Sequence, residues 1–237
     1  MAERLGVNIF SGVLPTSYVF IDDGSDSSKW TNHSAKPWGG ISEGDAFGYF
    51  GKGLQFEPAH HNPGWAGRWY PLVNLSRLCF GLVVSYSGTV IPAAYGTYPM
   101  TVYLRNPLLG VQRELQVKFD IYGPTNVFPI AERISFIGGS TAWVNVNIVH
   151  DAGIFNAGGN TNPVRYWTMV TGIIQGDSLV QVNVNRNVYA PTLVLPAGPD
   201  TEGVGQIFVT GLAGTGNASE VTWNVDQIWI SDLEYRV

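Results

Sequence analysis

Hydrophobic side chains in this sequence recur at every second residue, and no stretch repeats them at the helical interval. In Val111-Gln112-Arg113-Glu114-Leu115-Gln116-Val117-Lys118-Phe119-Asp120-Ile121, Leu115, Val117, Phe119 and Ile121 fall on one side, and Gln116, Lys118 and Asp120 on the other. Successive side chains of a strand point to opposite faces, so this pattern predicts one buried and one solvated face, as in an antiparallel sheet. Residues 142–149 repeat it, with Val144, Val146 and Ile148 against Asn145 and Asn147. So do 178–188, with Val180, Val182 and Val184 against Gln181, Asn183 and Asn185. In 221–231, Trp223 and Val225 are offset from Asn224 and Asp226.

Shorter strands are predicted at 5–10, 17–21, 46–56, 66–70, 78–86, 100–105, 133–137, 164–174, 192–195 and 204–210. Turn-rich stretches separate them, among them Asp22-Asp23-Gly24-Ser25-Asp26, Gly138-Gly139-Ser140 and Asn156-Ala157-Gly158-Gly159-Asn160. About a dozen strands with little helix predict an all-β fold, an antiparallel two-sheet β-sandwich or jelly roll. No linker or charge run divides the chain, so 1–237 is expected to form a single domain. Residues 87–99 are too apolar and aromatic for a free tether and predict a packed loop. The glycine-rich 211–216 lacks the phosphate-loop lysine and predicts a hairpin loop.

Composition excludes several partners. Charged residues make up 13% of the chain, and the net charge is −5; the usual charged share is roughly 25%. Without a basic surplus to neutralise phosphates, no nucleic acid is expected as a partner. No apolar run reaches the roughly 18 residues of a membrane-spanning helix, so no membrane insertion is expected. The start, Met-Ala-Glu-Arg-Leu-Gly, has no apolar export segment. The single cysteine, Cys79 in Leu78-Cys79-Phe80, allows no intrachain disulfide and reads as a small buried hydrophobe.

The stretch Tyr166-Trp167-Thr168-Met169-Val170, followed by Gly176-Asp177-Ser178-Leu179-Val180-Gln181-Val182-Asn183-Val184-Asn185, resembles a segment of concanavalin A-like sandwiches of the laminin-G or pentraxin type. The ending Val225-Asp226-Gln227-Ile228-Trp229-Ile230-Ser231-Asp232-Leu233 is similar to the closing strand of the same families, and Asp22 to Trp30 falls where their opening loop does. The resemblance implies glycan or cell-surface binding, and such domains are common in phage minor tail proteins. It also implies that calcium binding is frequent in the fold.

Candidate sites follow from residue chemistry. The indole face stacks on the C–H face of a sugar ring, and nearby amide or guanidinium groups then bind its hydroxyls. Trp65, Arg68 and Trp69 in Pro63-Gly64-Trp65-Ala66-Gly67-Arg68-Trp69-Tyr70, with Asn62 and the loop residue Trp38, form the expected glycan-binding set. The alternative is that most of the 8 tryptophans fill the core, as is expected for Trp167 and Trp223. Asp22, Asp23 and Asp26 offer hard oxygen ligands for calcium, although position 12 of an EF-hand loop counted from Asp22 is His33 rather than Glu. The alternative there is an ordinary Asp/Gly turn. No other cofactor is expected. His60-His61, His33 and His150 suggest no zinc site. Asp226 and Asp232 lie about 20 Å apart along a strand, too far for a glycosidase pair. No Gly-x-Ser-x-Gly elbow occurs.

The expected protein is therefore a non-enzymatic phage virion subunit of the minor tail or tail-tip type, made in the host cytoplasm and acting outside the cell. Its partners would be other virion proteins, further copies of itself and a cell-surface glycan. The alternatives are a free-standing carbohydrate-binding module or lectin, a capsid decoration protein, and a jelly-roll polysaccharide lyase or glycoside hydrolase.

Overall fold

The computed structural model describes residues 19–32, 40–44, 52–57, 64–71, 75–87, 100–122, 131–138, 142–144, 150–151, 167–185, 187–197, 204–211 and 222–232. In chain order the elements are β1 (Phe20–Asp22), a 3-10 turn (Ser27–Lys29), β2 (Thr31–Asn32), β3 (Gly40–Gly44), β4 (Gly53–Glu57), β5 (Gly64–Pro71), β6 (Arg77–Ser87), β7 (Met100–Leu108) and β8 (Val111–Tyr122). They continue with β9 (Ala131–Gly138), β10 (Ala142–Val144), β11 (His150–Asp151), β12 (Thr168–Gln175), β13 (Ser178–Val184), β14 (Asn187–Tyr189), β15 (Leu193–Val194), β16 (Val204–Gly211) and β17 (Thr222–Ser231). The all-β, two-sheet antiparallel sandwich expected from the alternation is the fold observed.

One sheet runs β14-β13-β12-β6-β17-β4-β3, with β1 added to β17 and β15 to β13; it is called sheet 1 below. Sheet 2 runs β10-β9-β8-β7-β16-β5-β2, with β11 added to β9. Alternation explains how they close on each other. Leu78, Phe80, Leu82 and Val84 of β6, Val102 and Leu104 of β7, Leu115, Val117 and Phe119 of β8, and Ile207 and Val209 of β16 all enter one core. Trp223 and Phe119 meet there at 6.0 Å, tilted by 50°. Burying that apolar area is the dominant favourable contribution to such a fold.

Two bulges shift the alternation from its predicted faces. In β17 the pairing with β6 slips between Val225 and Gln227, so that Ile228 and Ile230 return to the core and Trp229 turns to the outer face. There its indole covers Gly81, directly opposite, where an added methyl would collide with the ring. In β13 the slip falls at Val180, which is 37% exposed while Leu179 takes the buried position. The expected inward face of Val180, Val182 and Val184 is thus corrected at its first member. The strand predicted at 178–188 also breaks at Asn185, whose φ of 52° turns the chain into β14.

The glycine-rich 211–216 was expected to close a hairpin. Instead the strands on either side, β16 and β17, belong to different sheets and do not pair with each other, and residues 212–216 lie outside the described residues. Cys79 is fully buried, as expected. The expected strand at 5–10 and the expected packed loop after β6 lie outside the described residues.

Candidate functional site

The outward face of sheet 2 carries an aligned row of side chains. In β5, Ala66 and Tyr70 enter the core, and Trp69 between them in parity points out and is 38% exposed. Trp69 pairs with Gln206 of β16, Gln206 with Arg105 of β7, and Arg105 with Glu114 of β8. Four adjacent strands therefore place an indole, an amide, a guanidinium and a carboxylate in one line across the sheet. Directly opposed side chains on one sheet face are within interaction distance of each other.

Hydrogen bonds fix this row. Arg105 Nε donates to Glu114 Oε2 at 2.5 Å, and its Nη1 donates to Gln206 Oε1 at 3.2 Å. Gln116 Nε2 donates to the other carboxylate oxygen, Oε1, at 3.0 Å. The Arg105 and Glu114 side chains retain 23% and 11% of their exposure, so the pair is sheltered without being sealed. Gln116 and Tyr103, opposite each other in the next row, are both half-buried. Planar hydrogen-bonding groups beside an exposed indole are what a polyhydroxylated ring requires.

The acidic loop is differently employed. Asp22 is 4% exposed; its Oδ1 accepts from the Gly24 N–H, and its Oδ2 from Trp30 Nε1, each at 2.8 Å. Arg68 Nη1 also donates to Oδ2, linking β5 of sheet 2 to β1 of sheet 1. The Arg68 guanidinium lies 5.0 Å from the centre of the Phe20 ring. Asp23 accepts from the Ser25 N–H, and hydrogen bonding to Ser25 holds its carboxyl below the ordinary value. Asp26 caps the 3-10 turn by accepting from the N–H and Oγ of Ser28, and the Ser28 hydroxyl likewise lowers its carboxyl. Among the described residues no group of three His, Cys, Asp or Glu side chains is placed to hold a metal ion.

The structure thus separates the residues that sequence had grouped. Trp69 stands on the outer face. Arg68, its neighbour in the chain, points to the opposite side of the sheet and is engaged by Asp22. Trp65 lies in β5 opposite Thr210. Trp38 and Asn62 lie outside the described residues. Trp30 is buried against Phe56 at 5.6 Å. Trp223 is buried in the main core, and Trp167 packs on the outer cluster around Trp229. Arg105, Glu114, Gln116 and Gln206 were not foreseen. The polar half of the 111–121 alternation indicated that Gln116 faces outward, but the register joining it to β7 and β16 is set by residues far away in sequence.

No protein-family model matches the sequence, and no curated protein does. Solved structures do match. The conserved carbohydrate esterase of the Shiga toxin-encoding bacteriophage phi24B aligns with a TM-score of 0.52 at 14% identity, over 90% of this chain and 97% of the other. The globular domain of Trypanosoma cruzi calreticulin gives 0.52 at 13% identity, over 92% and 89%. The lectin of Bauhinia forficata, solved with GalNAc, gives 0.51 at 12% identity, over 87% and 93%. The fold is a lectin-like β-sandwich. The same comparison corrects one expectation. A chain without catalytic activity was expected, yet this sandwich is also the fold of a carbohydrate esterase, so the architecture is no ground for excluding catalysis.

Proposed function

We propose that this chain is a carbohydrate-recognising subunit of a phage particle, of the minor tail or tail-tip type, and that its glycan surface is the outer face of sheet 2. What carries the reading is the exposed Trp69 in register with Gln206, Arg105 and Glu114. The indole supplies a stacking platform, and the three polar groups, already hydrogen-bonded to one another, lose little side-chain freedom on binding. Support for the setting comes from the phage origin of one fold relative and the lectin nature of another. Weak sites repeated on a symmetric particle would reach useful avidity through simultaneous engagement. The test is attachment of the purified protein to glycan arrays and host cells. Trp69→Ala is expected to weaken attachment by roughly tenfold, as loss of a binding-site Trp commonly does. Unchanged attachment would overturn the assignment.

A second reading gives the same face a role in glycan turnover. It is favoured by Glu114, a carboxylate held within the row by Arg105. Release of acid, alcohol or shortened chains from a bound glycan, lost in Glu114→Gln, would establish it.

A further inference from the structure

The geometry points to a neutral, linear oligosaccharide lying across the strands of sheet 2 as the ligand of this face; the inference rests on the glycan reading above and specifies its ligand class. The first ground is charge. Arg105 is the cation of the row and Glu114 its anion, and they bond to each other at 2.5 Å. Arg105 commits a further N–H to Gln206, and both carboxylate oxygens of Glu114 are engaged, by Arg105 and by Gln116. An anionic sugar would gain little from a guanidinium already neutralised by its carboxylate partner, and it would approach that sheltered carboxylate. A cationic sugar meets the mirror-image obstacle. Hydroxyl groups meet neither: an oxygen accepting one hydrogen bond keeps a second lone pair, and an amide that donates one N–H keeps another.

The second ground is shape. From Trp69 to Glu114 the row crosses four strands, a span of about 14 Å at the usual strand spacing. That exceeds a single sugar ring and suits a short chain. One ring would stack on the indole at one end, while later rings meet Gln206, Arg105 and Glu114 in turn. The row runs perpendicular to the strands, so the chain would cross them rather than follow one.

The experiment is binding of the full-length protein to printed linear oligosaccharides of neutral hexoses and N-acetylhexosamines, beside counterparts carrying uronate or sialate. The strongest neutral binder is then titrated as mono-, di-, tri- and tetrasaccharide. Neutral chains are expected to bind about tenfold more tightly than acidic counterparts, with affinity rising from one ring to three and then levelling. Glu114→Gln removes the negative charge at nearly constant shape, so it is expected to narrow the neutral-over-acidic preference severalfold. Trp69→Phe retains a stacking ring and is expected to keep most of the affinity that Trp69→Ala loses. Tighter binding of acidic chains, an unchanged preference in Glu114→Gln, or full affinity for a monosaccharide would overturn this inference while leaving glycan recognition standing. Failure to bind any glycan in either set would overturn both.

Discussion

Arg68 in sheet 2 donates to the buried carboxylate of Asp22 in sheet 1, so the residue expected to hold sugar and a residue expected to hold calcium are partners of each other. Asp22 also accepts from Gly24 and Trp30, closing the loop after β1 onto the sandwich. Removing one member of such a pair leaves the other sheltered and uncompensated. Asp22→Ala is expected to cost about 3 kcal/mol and to lower the melting temperature by roughly 6–12 °C for a chain of this size. Thermal unfolding checks this, and Asp22→Ala/Arg68→Met should lose less than the single variant. An unchanged melting temperature in Asp22→Ala would contradict the pairing.

The same arrangement predicts the response to calcium. With Asp22 bound to Arg68 and Trp30, and Asp23 and Asp26 each closing its own turn, millimolar Ca²⁺ is expected to leave the melting temperature where EDTA leaves it. A ligand that binds only the folded state raises stability in proportion to the logarithm of its concentration. A rise that grows with calcium and disappears in Asp26→Asn would therefore show the loop to be a metal site.

Tyr70 predicts an alkaline limit. Burial pushes its phenol well above the ordinary value of 10.0, and its hydroxyl lies 3.1 Å from both the Arg105 carbonyl oxygen and Asn106 Oδ1. The folded state keeps the proton while the unfolded state releases it above pH 10.0, so stability is full below that pH and falls as pH rises beyond it. Tyr70→Phe removes this contribution. It should be less stable at neutral pH by about 1 kcal/mol, for the lost hydrogen bond, yet decline less steeply above pH 10. Parallel alkaline limbs for the two proteins would contradict the assignment.

Leu109 predicts a gain. It sits at the tip of the β7–β8 hairpin with φ of 52°, 65% exposed, followed by Gly110 at φ of 79°. Two successive positive φ angles favour Asn-Gly, and a leucine is strained there. Leu109→Asn is expected to stabilise the protein by about 0.5–1 kcal/mol in denaturant titration. A loss would mean that the leucine side chain contributes packing that outweighs the strain.

The period-two pattern made most of the long strands legible, because each must bury one face, and β5 to β9, β12, β16 and β17 lie close to their predicted positions. Short pairing segments such as β2 and β11 were not legible, since two residues hold no period. The bulges at Val180 and beyond Val225 were hidden for a related reason: alternation reads straight through a slipped register until the partner strand is known. The candidate site was legible only at Trp69. Arg105 and Gln206 face each other across β7 and β16 although some hundred positions separate them, and no local signal encodes that register. Arg68 and Trp69 are adjacent in sequence, but neighbouring side chains of a strand point to opposite faces, so Arg68 faces away from the row and toward Asp22.

The most direct measurement is a backbone amide NMR titration of the isotope-labelled protein with the best-binding oligosaccharide. A glycan seated on sheet 2 is expected to shift amides around Trp69, Arg105, Glu114, Gln116 and Gln206 together, leaving Asp22 and the loop after β1 unmoved. Shifts confined to other residues, with this row silent, would contradict the assignment of the glycan face.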